Sequence, residues 1–123
     1  QTVKNKRLIE FIKNLPKNAE VIAEATSNSM FPLIKNRDKI PIKKVNFSKV
    51  QTRDVIALYI ADKNNIIVHR VTKIKKDEKE KYCITKGDNN SSEDPWIITK
   101  NNFLGKVRKT KKPLLKNLLL STC

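Results

Sequence analysis

Three short stretches of this 123-residue chain hold the residue types of hydroxyl-nucleophile hydrolysis: SNSMFP (residues 27–32), VHRV (68–71) and TKGDNNSSED (85–94). A serine hydroxyl becomes a nucleophile when a base takes its proton, and an imidazole base works best when a carboxylate holds its ring and its developing charge. Each stretch supplies one such group: Ser29, His69 and Asp94. The chain has 1 histidine, so the choice of base is nearly forced. An imidazole changes charge near neutrality, whereas Lys73 or Lys86, the fallback bases, would need burial to lower the ammonium pKa. Two carboxylates of the third stretch, Asp88 and Asp94, are open for the orienting role.

The surrounding pattern says which elements must carry these groups. Apolar residues Leu8, Ile9, Phe11, Ile12 and Leu15 recur at helical spacing, which predicts an amphipathic helix over residues 3–15 that ends at Pro16. From Glu20 the period changes. VIAEAT, DKIPIKK, DVIALYI, NIIVHRVTKI, KYCITK and FLGKV are short and rich in β-branched residues, as strands are. Pro41 should lie at a sheet edge or a bulge, and KKDEKEK (75–81) reads as a charged hairpin tip. Ser29 follows a strand-like run and precedes Pro32 by three residues, so it belongs to a strand end or turn. His69 shares one strand face with Ile67 and Val71. Taken alone, such a histidine is more often a satisfied core or surface residue than a catalyst. Asp88, within GDNN, suits an Asx-type turn, Glu93 a solvated position, and Met30 the lining of a pocket or core. PLLKNLLL, from Pro113, reads as a short helix or the start of a truncated anchor.

Composition bounds the rest. The length fits one domain over residues 1–123, and the 38% hydrophobic content supports a modest core. The formal net charge is +15, from 27 Lys and Arg against 12 Asp and Glu. Such a surface attracts anionic lipid head groups or nucleic acid. Aromatic residues make up 6% and are not interleaved with the basic ones, so a base-stacking platform is poorly supported and no nucleic-acid partner is expected. The 2 cysteines, Cys83 and Cys123, give no disulfide framework. One histidine and two distant cysteines make no zinc site, and 2 glycines make no phosphate-cradling loop, so no metal or cofactor is expected. No run approaches the roughly 18 apolar residues of a membrane span. Membrane-associated and cytoplasmic settings both stay open.

In order and local sequence the three stretches resemble the signal peptidase I family, in its histidine-type branch of endoplasmic-reticulum, archaeal and sporulation enzymes. The family pattern Ser-x-Ser-Met-x-Pro followed by an apolar residue is matched by Ser27, Ser29, Met30, Pro32 and Leu33; His-Arg-Val by residues 69–71; and the Gly-Asp-Asn-Asn box by residues 87–90, with Asp94 six residues after Asp88. The resemblance covers roughly residues 20–108, the expected catalytic core, flanked by the helix over residues 1–16 and a tail or truncated anchor over residues 109–123.

The resemblance implies a mainly β, partly barrel-like fold of the signal-peptidase and repressor-protease kind, with a short N-terminal helix and an open question of a C-terminal one. It implies Ser29 as nucleophile, His69 as base and Asp94 as catalytic carboxylate. Ser27 and the Ser29 N–H would form the oxyanion hole, Asp88 and Arg70 would brace the site, and Met30 and Pro32 would line the substrate pocket. The implied activity is that of a serine endopeptidase. The implied substrate is a signal or leader peptide, or a preprotein, with small residues before the cut, bound as an added strand. Apart from the resemblance, the net charge and the amphipathic helix leave an anionic membrane surface open as a further partner. Soluble leader peptidases are similar too. The alternative is a basic nucleic-acid-binding or regulatory module on a protease-like fold. The chain departs from the family at two turns, where Arg37-Asp38 and Arg53-Asp54 replace Gly-Asp.

Overall fold

The segment VIALYI is apolar on both of its alternating faces, which suits a strand covered on both sides. It forms β3 (Val55–Ile60) at the interior of the sheet, and Ile56, Ala57 and Leu58 are each 0% exposed. The computed structural model describes residues 2–60 and 65–108. Helix α1 (Thr2–Lys13) is followed by β1 (Glu20–Glu24), β2 (Lys39–Lys43), a 3-10 turn (Phe47–Lys49), β3, β4 (Asn65–Lys76), β5 (Lys81–Lys86) and β6 (Phe103–Val107). The six strands form one antiparallel sheet in the order β1-β2-β6-β3-β4-β5. The protein is mainly β as expected, and among the described residues the sheet is not closed into a barrel. The C-terminal segment, with its expected helix or anchor, lies outside the described residues.

Each face of the sheet carries a core. On one face Val55 and Ala57 of β3 join Val21, Ala23, Ile40, Ile42 and Leu104, and Ile9 and Ile12 of α1 cover them. On the other, Ile56 and Leu58 pack with Phe47, Val50, Val71, Cys83, Ile98 and Phe103. The Phe47 and Phe103 rings lie 5.3 Å apart at 51°, a tilted pair. Strand β4 holds the sheet together: it pairs with β3 from Asn65 to Arg70 and with β5 from Arg70 to Lys76. Among the described residues its first half therefore pairs with a strand on one side only. The charged tip falls between Lys76 and Lys81, where the Asp77 carboxylate accepts the N–H groups of Lys79 and Glu80 at 2.9 and 2.8 Å.

Two local expectations need correction. Phe11 is 52% exposed rather than part of the buried stripe. Residues two apart on a helix point about 160° apart, so a helix seated on Ile9 and Ile12 turns Phe11 outward. Pro41 lies in β2, an interior strand between β1 and β6, rather than at an edge. The reason it is tolerated is its position at the end of the β2–β6 ladder. That ladder pairs Ile42 with Val107 and Lys43 with Lys106, and the Pro41 carbonyl accepts Arg108 N–H at 2.9 Å just beyond it. The missing N–H thus falls one residue past the last pair of that ladder, where only the Pro41 carbonyl is used.

The two turns that lack glycine keep their shape. Arg37 and Arg53 adopt φ of 77° and 78°, the left-handed region. Each is followed by an aspartate that closes the turn: Asp38 accepts Lys35 N–H at 2.8 Å, and Asp54 accepts Gln51 N–H at 2.8 Å. The aspartates keep the turn while the arginines bear the strain of a left-handed Cβ, about 1–2 kcal/mol. Arg37→Gly should therefore stabilise the protein by about 0.5–1 kcal/mol once glycine's extra unfolded-state entropy is subtracted. Urea unfolding of the variant measures it, and a loss of stability would show that the Arg37 side chain contributes more than its backbone costs.

Candidate active site

Two turns meet to form the site. In the first, Phe31 N–H bonds to the Asn28 carbonyl and Ile34 N–H to the Met30 carbonyl, both at 3.0 Å. These successive turns swing Met30 and Ile34 into the core and leave Phe31 and Leu33 exposed. In the second, Asn90 N–H closes on the Gly87 carbonyl at 2.9 Å. Three contacts join the turns: Asn89 N–H to the Ser29 carbonyl at 2.8 Å, Asn89 Nδ2 to the Asn28 carbonyl at 3.1 Å, and Asp88 N–H to Met30 Sδ at 3.3 Å. Glycine is required at residue 87 by this approach. A Cβ there would lie 2.6 Å from Asn90 Nδ2, 2.7 Å from the Ser29 carbonyl oxygen and 3.0 Å from His69 Nε2.

His69 projects from β4 into this junction. Its Nε2 is 3.2 Å from Ser29 Oγ, and its Nδ1 is 2.6 Å from Asp94 Oδ2. The imidazole and the carboxylate are both nearly buried, at 8% and 7% side-chain exposure. An ionised carboxylate can only accept, so the neutral ring carries its proton on Nδ1, and Nε2 is left to accept from the serine. Asp94 is anchored twice by Thr85, whose carbonyl accepts Asp94 N–H at 2.8 Å and whose hydroxyl donates to Oδ2 at 2.7 Å. Ser27 lies on the other side of Ser29: its hydroxyl donates to Ser29 Oγ at 3.3 Å and accepts Ser29 N–H at 3.4 Å. A chain of contacts thus runs Ser27, Ser29, His69, Asp94, Thr85.

Asp88 is placed elsewhere. It takes Arg70 in a two-point grip, Nε to Oδ1 and Nη2 to Oδ2, both at 2.8 Å, and Arg70 Nη1 reaches the Arg53 carbonyl at 2.8 Å. The Arg70 hydrogen bonds hold the Asp88 carboxyl below its ordinary range, and the same pairing raises Arg70. Neither fallback base is bonded to Ser29. Lys73 pairs with Glu93 at 3.3 Å, and Lys86 donates to the Gly87 carbonyl at 3.3 Å.

The cleft that reaches Ser29 and His69 has a volume of about 390 Å³ and runs between the end of β1 with the residues that follow it, Ala23 to Thr26, and the first half of β4, with Asn65 to Val68. Met30 lines it together with Ile34, Ile40 and Trp96. Pro32 does not. It lies exposed at the outside of the turn that buries its neighbours Met30 and Ile34. Glu93 is also more than a solvated neighbour, since it accepts the Thr72 hydroxyl at 2.7 Å as well as Lys73 and so ties the loop before Asp94 to β4. Thr85 had no part in the expected site. The signal for it was its place two residues after Cys83 on the inward face of β5, where a threonine hydroxyl needs a partner.

Because the Asp88 carboxyl is depressed by Arg70, its contribution to stability is fully present above the unfolded carboxyl's pKa, near 4, and is lost as the pH falls through the lower folded value. Asp88→Asn should therefore cost about 1 kcal/mol at pH 7, and the gap from the unaltered protein should close as the pH is lowered below 4. Urea unfolding at pH 7 and pH 3 tests this, and a gap that stays constant with pH would remove the ion pair as its cause.

No family model matches the chain, and no solved structure matches it significantly. Among curated proteins it is similar to the signal peptidase complex catalytic subunit sec11 of Schizosaccharomyces pombe. The two are 36% identical over 69 residues, which cover 50% of this chain and 36% of that protein. The match thus spans about a third of the relative's length. With the resemblance of its three ordered boxes, this match supports the chain as a signal peptidase I-like relative.

Proposed function

We propose that this chain is a serine endopeptidase that cleaves signal or leader peptides with Ser29, His69 and Asp94 as its catalytic unit. The observation that carries the reading is the unbroken contact from Ser29 Oγ through the imidazole to Asp94 at the wall of an open cleft. Ser29 Oγ attacks the scissile carbonyl as Nε2 accepts its proton, and Asp94 stabilises the imidazolium across Nδ1. The oxyanion is received by the Ser29 N–H and the Ser27 hydroxyl, which turns from its resting contact with Ser29 Oγ. His69 then gives the proton to the leaving amine. A water, deprotonated by the same nitrogen, releases the acyl group.

The cleft suits an extended peptide. Among the described residues β1 is an edge strand, and pairing of β4 with β5 begins only at Arg70, so no strand of the described residues pairs with Ile66–Val68 on the β5 side. A substrate strand lying between them has main-chain groups to pair with on both flanks. Ala23, Ala25, Met30, Ile34 and Ile40 give the cleft an apolar wall, matched to small apolar side chains ahead of the cut. Similarity to a signal peptidase subunit supports the same substrate class.

A synthetic peptide with alanine at the first and third positions before the cut is the direct substrate. Ser29→Ala should lower its cleavage at least about a thousandfold with an unchanged unfolding transition, since a small, partly exposed hydroxyl adds little packing. Mass spectrometry of the products reads both the rate and the bond cut. Near-normal turnover by Ser29→Ala would contradict the reading.

A further inference from the structure

We infer that Thr85 is a positioning residue for the proposed reaction: its hydroxyl locks the Asp94 carboxylate in the rotation that keeps the His69 proton on Nδ1. The inference rests on the catalytic reading above only for its effect on rate. The effect on the imidazole stands by itself.

Two donors converge on one carboxylate oxygen. Asp94 Oδ2 accepts His69 Nδ1 at 2.6 Å and Thr85 Oγ1 at 2.7 Å. The terminal torsion of an aspartate is broad and roughly two-fold, so the side chain alone does not hold a carboxylate in one rotation. The backbone bond from Asp94 N–H to the Thr85 carbonyl, 2.8 Å, brings the two residues together. It leaves the carboxylate free to turn, and the hydroxyl removes that freedom. Thr85 is 0% exposed, so no solvent takes the hydroxyl's place.

The strand does not need that hydroxyl. β5 pairs Thr85 with Val71 through the backbone, and valine has the same branched shape and at least equal fitness for a strand. Within the buried core that includes Cys83, Ile98 and Val71, an apolar residue would pack without a polar group to satisfy. A hydroxyl at this place is therefore explained by what it touches. Ser27 and Ser29 act at one end of the contact chain and Thr85 terminates the other, so the direction of every hydrogen bond between them follows from the one acceptor, Asp94.

The single histidine makes this measurable without substrate. In 15N-labelled protein the imidazole gives one pair of ring nitrogens. The unaltered chain should show a strongly downfield Nδ1 proton and the tautomer protonated there. Thr85→Val should shift that proton upfield and mix the tautomers. It should also lower kcat about 10- to 100-fold, the usual cost of losing a partner that orients an active group, with KM near its original value. Thr85→Ser, which keeps the hydroxyl, should restore both. If the valine variant does not fold, Thr85→Ala set against Thr85→Ser makes the same comparison. An unchanged Nδ1 proton and tautomer in the variant lacking the hydroxyl would overturn the inference. Should Ser29→Ala retain cleavage, the peptidase reading falls while the spectrum still decides the role of Thr85.

Discussion

The structure turns on the buried hydrogen bond between His69 and Asp94. Two ionisable groups withdrawn from water are tolerated only when each satisfies the other and the remaining lone pairs find donors. Here Thr85 supplies the further donor, and Ser29 occupies the other ring nitrogen. That demand places the loop after β5 over the face of β4 and, with it, the Ser29 turn that Asn89 grips. Removing Asp94 would leave the imidazole without its acceptor in a nearly closed environment. Removing His69 would leave a carboxylate facing Ser29 across an empty space.

Adjacent residues of β4 divide the two carboxylates of the third stretch between them. Side chains alternate along a strand, so His69 turns toward one side and Arg70 toward the other. His69 meets Asp94 on the inner side, and Arg70 meets Asp88 on the outer. The outer pair, partly exposed, braces the turn that contains Gly87, while the inner pair can serve chemistry. Just before His69, Ile66–Val68 of β4 have no strand of the described residues on the β5 side, since pairing to β5 begins only at Arg70. A peptide laid against that side would therefore run directly into the Ser29–His69 contact, which links the register of the sheet to the proposed cleavage.

Much of this was legible because its signals are local. Runs such as VIALYI and FLGKV are short, branched and apolar, and a lone histidine between two carboxylate candidates and a serine turn narrows the chemistry by itself. The contact of Asp94 rather than Asp88 with the imidazole matched the expected spacing to the first aspartate of the box. What escaped depends on three-dimensional placement. The exposure of Phe11 follows from which helix face docks, the interior position of Pro41 from where the β2–β6 ladder ends, and the outward setting of Pro32 from two successive turns around Met30. Thr85 escaped because nothing in a threonine's local sequence says whether its hydroxyl has a carboxylate above it. Arg37 and Arg53 were legible as substitutions for glycine, but only the backbone reveals that they take the left-handed conformation glycine would have taken.

The central claim is that Ser29, His69 and Asp94 act as one unit, and residues that do so lose activity in a non-additive way. Single-turnover cleavage of one alanine-containing peptide by Ser29→Ala, His69→Ala and the triple variant with Asp94→Asn tests it most directly. The account predicts that either serine or histidine substitution alone brings the rate down to the floor of the triple variant. Losses that multiply from single to triple, or a His69→Ala protein that still cleaves at a rate near the unaltered chain, would contradict it.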